Sequence, residues 1–127
     1  MPVAIHIEPD HRVVTFECDG RVGFDDVRSA FQGMFADPRF EPGINALWDL
    51  RRASIGVRMQ EIPDLLGMIS ERQRERGKDY RVAILVAGSP DFGLSTMFEM
   101  SAHAMPFSVR VFRSHSEATK WLGGEEV

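Results

Sequence analysis

Charged and polar residues follow two segments of the sequence in which buried strands are predicted. One segment spans residues 44–50 and the other spans residues 81–87, and both consist mainly of apolar side chains. Because the carboxyl ends of parallel strands meet at one edge of an open sheet, where such sheets bind ligands, these polar residues are predicted to lie together. The candidate binding residues at this edge are Asp49, Arg51, Arg52, Ser89 and Asp91.

The turn after residues 81–87 has the residues of a capped helix start. Ser89 is predicted to be the N-cap, Pro90 the first helical residue and Asp91 an acid in the first turn. A helix N-terminus can bind an anion through its free amide groups, but Asp91 already places a negative charge there. The sequence also lacks a phosphate-loop lysine motif and a Gly-x-Gly-x-x-Gly run. Nucleotide binding is therefore not predicted.

The sequence shows no pattern that joins a nucleophile, a base or a set of metal ligands. None of the four histidines has a second His or Cys at metal-ligand spacing. Glu99 and His103 would share a helix face, which usually gives an exposed ion pair worth roughly a few tenths of a kcal/mol. Ser95 and Thr96, one turn earlier, lack a nucleophile-elbow motif. The sequence therefore predicts neither an enzyme nor a cofactor.

Composition favours an ordinary globular chain. Of the 127 residues, 43% are hydrophobic and 27% are charged, which places the chain outside the disordered and membrane-spanning classes. We expect a single domain, residues 1–127, located in the cytoplasm and without a membrane span. The net charge is −4 and basic residues are scattered among acids, so a nucleic-acid partner is not expected. The single cysteine, Cys18, is expected to be a buried, unreactive thiol.

The periodicity of apolar residues predicts the element order β-β-α-β-α-β-α-β-α. The first two strands form a hairpin, after which Asp19-Gly20 is predicted to turn the chain into the first helix. A helix over residues 58–76 should become regular near Ile62, because Pro63 is tolerated only in a first turn. These units predict an α/β fold, a mixed sheet of about five strands with helices on both faces. The predicted strands span residues 3–7, 12–18, 44–50, 81–87 and 107–113.

Charges alternate at the end of the second predicted helix. Residues 71–79 read ERQRERGKD, which is typical of a solvated segment, and Gly77 is predicted to end the helix. A basic docking site in this segment is the less favoured interpretation. Near the C-terminus, Ser114 is predicted to cap a short helix over residues 116–122, with Glu117 in the capping-box position.

The helix after residues 81–87 carries apolar side chains over an unusually wide arc. Placed at about 100° per residue, they spread over roughly 200°, which is wider than a surface helix needs. Something besides the sheet is therefore expected to cover this helix: a neighbouring helix, a second subunit or an apolar ligand. The candidate contact residues are Met97, Phe98 and Met100, because Met side chains suit adaptable contacts.

Three short segments carry a resemblance to a known family. They are Trp48-Asp49-Leu50 at a strand end, residues 109–113 as the last strand, and residues 116–122 as the helix after it. Together with the element order, they resemble the SpoIIAA-like superfamily, in particular the small bacterial STAS/SEC14-domain proteins, which are similar in fold to anti-sigma-factor antagonists. The resemblance covers essentially the whole chain and implies a SpoIIAA-like fold.

The resemblance also implies where a regulatory phosphorylation site would lie. STAS antagonists carry a phosphorylatable Ser or Thr at the start of the helix that follows the Asp-Leu strand end. The matching place in this chain holds Val57 and Arg58, without a hydroxyl. Ser54 is nearby, but its setting does not match the motif and it is interpreted as a loop serine. The resemblance therefore implies a STAS-like domain that lacks the usual phosphorylation switch.

The sequence supports two functional hypotheses of different classes. The first is a non-enzymatic regulatory or protein-interaction module of STAS-like type, which predicts a helix face that binds a protein partner or a second copy in a homodimer. The second is a carrier or sensor of a small apolar, lipid-like ligand, an analogy with SEC14 domains at the level of fold alone. This second hypothesis predicts a closed cavity with Met97, Phe98 and Met100 in its wall.

Overall fold

The computed structural model describes residues 2–125, apart from the side chains of Ser89 and Pro90. The described strands and helices follow the predicted order, with a short extra helix, α3, after the second helix and three 3₁₀ turns at Pro9–His11, Met59–Glu61 and Ala102–Ala104. The strands are β1 (Val3–Glu8), β2 (Val13–Val22), β3 (Asn45–Ile55), β4 (Arg81–Leu85) and β5 (Ser108–Phe112). The helices are α1 (Phe24–Ala36), α2 (Ile62–Glu71), α3 (Gln73–Arg76), α4 (Ser89–Ser101) and α5 (His115–Leu122).

The sheet is mixed, as the sequence predicts. Its strands are ordered β1-β2-β3-β4-β5, with β1 antiparallel to β2 and all other neighbours parallel. Four residues occupy equivalent positions across the middle of the sheet: Phe16, Trp48, Ile84 and Val111. Because paired residues project from the same face of a sheet, this row forms the centre of one apolar face.

Three helices cover one face of the sheet and one helix covers the other. α1, α2 and α4 pack on the face that contains Phe16 and Ile84. α5 packs on the opposite face through Trp121 and its neighbours. The prediction of helices on both faces is confirmed. The unequal coverage leaves side chains of β1 and β2 on the α5 face, such as His6 and Glu17, exposed.

β2 and β3 are both longer than predicted. The sequence predicts a turn at Asp19-Gly20 and a strand end at Leu50, but β2 continues to Val22 and β3 to Ile55. The two strands stay paired in parallel beyond a register shift just before Asp19. Gly20 has φ 75°, a backbone angle that glycine adopts without strain, so it accommodates the irregularity inside the strand instead of ending it.

The segment over residues 58–76 contains three helical pieces instead of one. A 3₁₀ turn precedes α2, which begins at Ile62 as predicted, with Pro63 in its first turn. The helix breaks at Arg72, and α3 then ends before Gly77. Gly77 has φ 90°, and a side chain there would collide with the backbone of the loop before β3. The predicted helix stop at Gly77 is therefore confirmed.

The starts of the last two helices differ slightly from prediction. α4 begins at Ser89, so Gly88 occupies the N-cap position that was predicted for Ser89. The side chains of Ser89 and Pro90 lie outside the described residues. Ser114 caps α5 as predicted, because its hydroxyl accepts a hydrogen bond of 3.3 Å from the backbone N–H of Glu117. None of the described helices combines the length and the apolar character required to span a membrane.

Candidate functional site

An apolar pocket of about 130 Å³ that is partly open to solvent, called the cavity below, lies between the sheet and α2. Strands form its floor, α1 and α4 form its sides, and α2 forms its roof. The floor includes Phe16, Ala46, Trp48, Val82 and Ile84. The roof and sides include Phe31 and Met34 of α1, Leu65 and Ile69 of α2, and Leu94 and Phe98 of α4.

The central strands position an aromatic pair in the floor of the cavity. Phe16 and Trp48 are paired residues of β2 and β3, and their rings stack with centroids 3.9 Å apart and planes 13° apart. Aromatic pairs in such contact contribute about 0.5–1.5 kcal/mol beyond the burial of their surface. Ala46 precedes Trp48 by two residues and so projects from the same face, where its single methyl group leaves space beneath α2.

Arg76 lies in the wall of the cavity with its charge buried. The residue is 2% exposed, and neither Nη1 nor Nη2 has a hydrogen-bond partner among the described residues. Its guanidinium carbon lies 3.6 Å from the centre of the Tyr80 ring, so one face of the guanidinium stacks on that ring. Burial lowers the pKa of Arg76 to about 10, which still leaves the group cationic at neutral pH.

Ser95 brings a second unpaired polar group to the same wall. It is 3% exposed, and its Oγ has no partner within the part of the chain that the structure describes. The next residue, Thr96, instead donates its hydroxyl to the carbonyl of Phe92 at 2.8 Å, a common arrangement for a hydroxyl on a helix. Since buried polar groups are normally hydrogen-bonded, Arg76 and Ser95 are exceptions among the described residues.

Sequence reasoning missed both of these residues. The prediction of a solvated segment over residues 71–79 is wrong at Arg76. A signal for its burial was available, because Ile62, Ile69 and Arg76 are spaced by seven residues and therefore fall on one stripe of a helix. Ser95 carries no comparable signal, since a hydroxyl beside apolar residues on a helix is common and usually bonds within the helix.

Four of the five residues predicted to form one strand-end site, Asp49, Arg51, Arg52 and Asp91, do not come together, and the side chain of the fifth, Ser89, lies outside the described residues. Asp49 and Arg51 pair with each other through hydrogen bonds of 3.0 and 2.8 Å, which lower the pKa of Asp49. Both line an exposed groove on the α5 face, while Arg52 pairs with an exposed aspartate of β2. Asp91 belongs to the opposite face, where its Oδ1 accepts the backbone N–H of Ile55 at 3.1 Å. The predicted cluster is wrong because β3 runs on past the polar residues.

The groove on the α5 face is polar but has the character of an ordinary surface. His6 and Glu17 approach each other to 3.3 Å there, with more than half of each side chain exposed. Surface ion pairs of this kind contribute about 0–1 kcal/mol. Across residues 2–125, no group of three His, Cys, Asp or Glu side chains is placed to hold a metal ion.

Of the three candidate contact residues on α4, one lines the cavity. Phe98 is in its wall, as predicted, whereas Met97 and Met100 do not line it and are 37% and 70% exposed. The prediction that the two methionines belong to the cavity wall is wrong. The described chain therefore leaves Met97 and Met100 uncovered, and helical periodicity could not show this because it indicates which residues share a face but not what lies opposite.

The surroundings of Glu99 and Ser54 also differ from those predicted. Glu99 does not pair with His103, because its Oε1 accepts the backbone N–H of Val111 at 3.0 Å. Ser54 is exposed within β3, so its interpretation as a loop serine is wrong. Val57, at the place where the resemblance implies a phosphorylated residue, is buried and lines the cavity.

A comparison with solved structures finds the same architecture in another protein. The crystal structure of an uncharacterised protein from the DUF3478 family with a SpoIIAA-like fold, from Shewanella loihica PV-4, matches with a TM-score of 0.61 and 19% sequence identity. The match covers 94% of this chain and 91% of that chain. The chain therefore has a SpoIIAA-like fold, as the resemblance implied. No protein-family model and no curated protein matches the sequence.

Proposed function

We propose that this SpoIIAA-like chain is a non-enzymatic module that binds a small, predominantly apolar ligand between the sheet and α2, as a carrier or a sensor. The observation that carries the proposal is the cavity of about 130 Å³. Protein cores contain few voids larger than a water molecule, so a cavity of this size departs from ordinary packing. A cavity of about 150 Å³ engineered into another protein binds benzene or xenon, so the space here suits a ligand on that scale.

The cavity wall supports a binding role in preference to a catalytic one. Its described lining contains no Asp, Glu, His or Cys side chain. The hydroxyl of Ser95 has no base within hydrogen-bond distance, although nucleophilic catalysis requires one. General acid–base catalysis requires a titrating group within reach of the substrate, and the lining offers only Arg76 and Tyr80, whose pKa values are about 10 and about 12.

The position of Val57 links the cavity to the regulatory role that the resemblance implies. Of the two residues at the place of the phosphorylated residue, Val57 is apolar and lines the cavity, whereas Arg58 is exposed. A ligand in the cavity would therefore act at the same point of the fold at which phosphorylation acts in STAS antagonists. This supports a sensor whose switch is a bound molecule.

The two tryptophans allow a test with an internal control. Trp48 lines the cavity, whereas Trp121 belongs to α5 and packs on the opposite face of the sheet. In a titration with benzene followed by ¹H–¹⁵N NMR, we expect the indole N–H signal of Trp48 to shift and saturate while that of Trp121 stays in place. If neither indole signal moves, or if both move without saturation, the proposed cavity ligand is wrong.

A second candidate function rests on the exposure of Met97 and Met100 on α4. Exposed methionines suit adaptable protein contacts, which favours a protein-interaction module with a homodimer as its simplest form. Because both side chains are exposed, we expect the Met97→Asp/Met100→Asp variant to stay folded. Light scattering should then give a dimer mass for the wild type and a monomer mass for the variant, and a wild-type monomer would rule out the homodimer.

A further inference from the structure

Arg76 has the chemistry of an anion receptor inside an apolar wall. A guanidinium group is planar, and all its N–H donors lie in that plane. Stacking on Tyr80, with the guanidinium carbon 3.6 Å from the ring centre, engages a face of the group and not the edge that carries its N–H donors. At that edge, Nη1 and Nη2 are buried and have no partner among the described residues. This fork matches a carboxylate, which accepts two parallel N–H···O bonds.

The neighbouring arginine shows that the unpaired state of Arg76 is specific to that position. Arg72, one turn earlier, stacks on Phe35 at 3.9 Å in a similar way. It also donates from Nε to Glu75 at 3.1 Å, so its charge is paired within the chain. Arg76 is more deeply buried, yet no carboxylate lies within ion-pair distance of it in the described chain. Oε1 of Gln73, three residues earlier, is also buried and unpaired, but it carries no charge. Buried charges are normally paired, and an anionic ligand would supply the partner that Arg76 lacks in the described chain.

The cavity also limits the charge of that partner. Arg76 is the only cationic side chain in the described lining. One cation can neutralise one negative charge, so a doubly charged head group would carry a net charge into an apolar site. The remaining wall, including Trp48 and Leu65, suits a short hydrocarbon or ring.

We propose that the cavity binds a small amphipathic monocarboxylate, whose carboxylate pairs with the edge of the Arg76 guanidinium and whose apolar part fills the space beneath α2. This inference rests on the proposed function, because it names the ligand class for the same cavity.

Three six-carbon probes that differ only in head group test the inference in the wild-type protein. They are hexanoate, hexan-1-ol and hexylammonium, and the saturable shift of the Trp48 indole signal reports binding at the cavity. We expect hexanoate to bind about tenfold or more tightly than hexan-1-ol, because a hydrogen-bonded ion pair forms only with the carboxylate. Hexylammonium should bind most weakly, since it places two like charges together.

Two variants assign the preference to Arg76. Arg76→Met keeps a side chain of similar length without the charge, and it should reduce the hexanoate preference over hexan-1-ol to within about twofold. Arg72→Met is the matched control, because Arg72 also stacks on an aromatic ring but is paired with Glu75, and it should keep the wild-type preference. Circular dichroism checks that both variants fold, and the wild-type comparison stands even if one does not.

The outcomes separate the two proposals. If hexan-1-ol and hexanoate shift the Trp48 signal with equal affinity, the cavity binds ligands but the carboxylate inference is wrong. If Arg76→Met keeps the hexanoate preference, another group recognises the carboxylate and the inference is also wrong. If no probe shifts the Trp48 signal, the proposed function itself fails.

Discussion

At the scale of single residues, Arg76 stands out because its charge is buried and its Nη1 and Nη2 have no partner in the described chain. Burial lowers the pKa of Arg76 from its ordinary value in the unfolded chain to about 10 in the folded chain. Between these two values the unfolded chain binds more protons than the folded chain, so the stability contributed by this group rises with pH in that window. Below it, both states are protonated and the folded chain carries the full cost of a buried, unpaired charge.

Replacement of Arg76 by Met should therefore stabilise the free protein. At pH 7 we expect the free energy of unfolding of Arg76→Met to exceed that of the wild type by about 1–3 kcal/mol, because an apolar side chain avoids the buried charge. The difference should shrink as the pH rises above about 10, where the folded-state arginine loses its proton. Urea unfolding of both proteins at several pH values measures this. A variant less stable than the wild type at pH 7 would mean that the chain itself satisfies the guanidinium.

Cys18 provides a second test at the residue scale. The residue is 4% exposed, and burial, together with the nearby charge of Asp49, raises the pKa of its thiol to about 12. At pH 8 roughly one thiol in ten thousand would then be a thiolate, which is the reactive form. We expect a chromogenic disulfide reagent to label the native protein only as fast as it unfolds, and to label it at once in concentrated urea. Immediate labelling of the native protein would contradict the buried thiol.

At the scale of elements, two carboxylates of α4 form hydrogen bonds with the backbone of the sheet. β5 is an edge strand, and the carboxylate of Glu99 on α4 accepts the N–H of its residue Val111. Asp91, at the start of the same helix, accepts the N–H of Ile55 at the end of β3. α4 is therefore joined to the sheet at two points by carboxylates that bond to backbone, in addition to its apolar contacts.

The contact of Glu99 with β5 can be tested with a matched pair of variants. Glu99→Ala should lower the free energy of unfolding by about 1–2 kcal/mol, because the Val111 N–H loses its acceptor. Glu99→Gln keeps an acceptor oxygen and should cost less than half as much. Amide hydrogen exchange at Val111 should be faster in the alanine variant only. Equal exchange rates in the wild type and in Glu99→Ala would show that this hydrogen bond does not protect the edge strand.

The two faces of the sheet should respond in opposite ways to added volume. Ala46 on β3 lines the cavity, whereas Ala83 on β4 is fully buried against α5. We expect Ala46→Val to be neutral or to stabilise by about 1 kcal/mol, because its methyl groups enter existing space. Ala83→Val should destabilise by about 1–3 kcal/mol, because that side is closely packed. Chemical unfolding compares the pair, and equal losses in both would contradict a cavity on the Ala46 side.

On the scale of the whole molecule, the sequence predicts the architecture well where local pattern and tertiary packing agree. The apolar run that became β4 predicts a strand covered on both faces, and Val82 to Leu85 are all buried there. The stop at Gly77 and the start at Ile62 follow from backbone chemistry that is local to those residues. The order of elements and the mixed sheet follow from such signals, whereas the SpoIIAA-like fold was implied by the family resemblance.

The candidate site was harder to predict because it depends on contacts between distant segments. β3 extends to Ile55 through pairing with β2, which periodicity cannot show, and this extension separates Asp49 from Asp91. Arg76 lies in a run of charged residues, and because such runs are normally solvated, the burial of its side chain was not predicted. The cavity depends on how α2 packs on the sheet. The sequence does not show which space between packed elements stays unfilled.

The most direct test of the central claim is a crystal structure of the protein determined under xenon pressure. Xenon enters preformed apolar cavities and scatters strongly enough to be located, so it reports unfilled space without any assumption about the natural ligand. We expect a xenon atom beneath α2, in contact with Trp48 and Leu65. A structure in which α2 lies directly on the strands, with no xenon between them, would contradict the cavity and with it the proposed binding function.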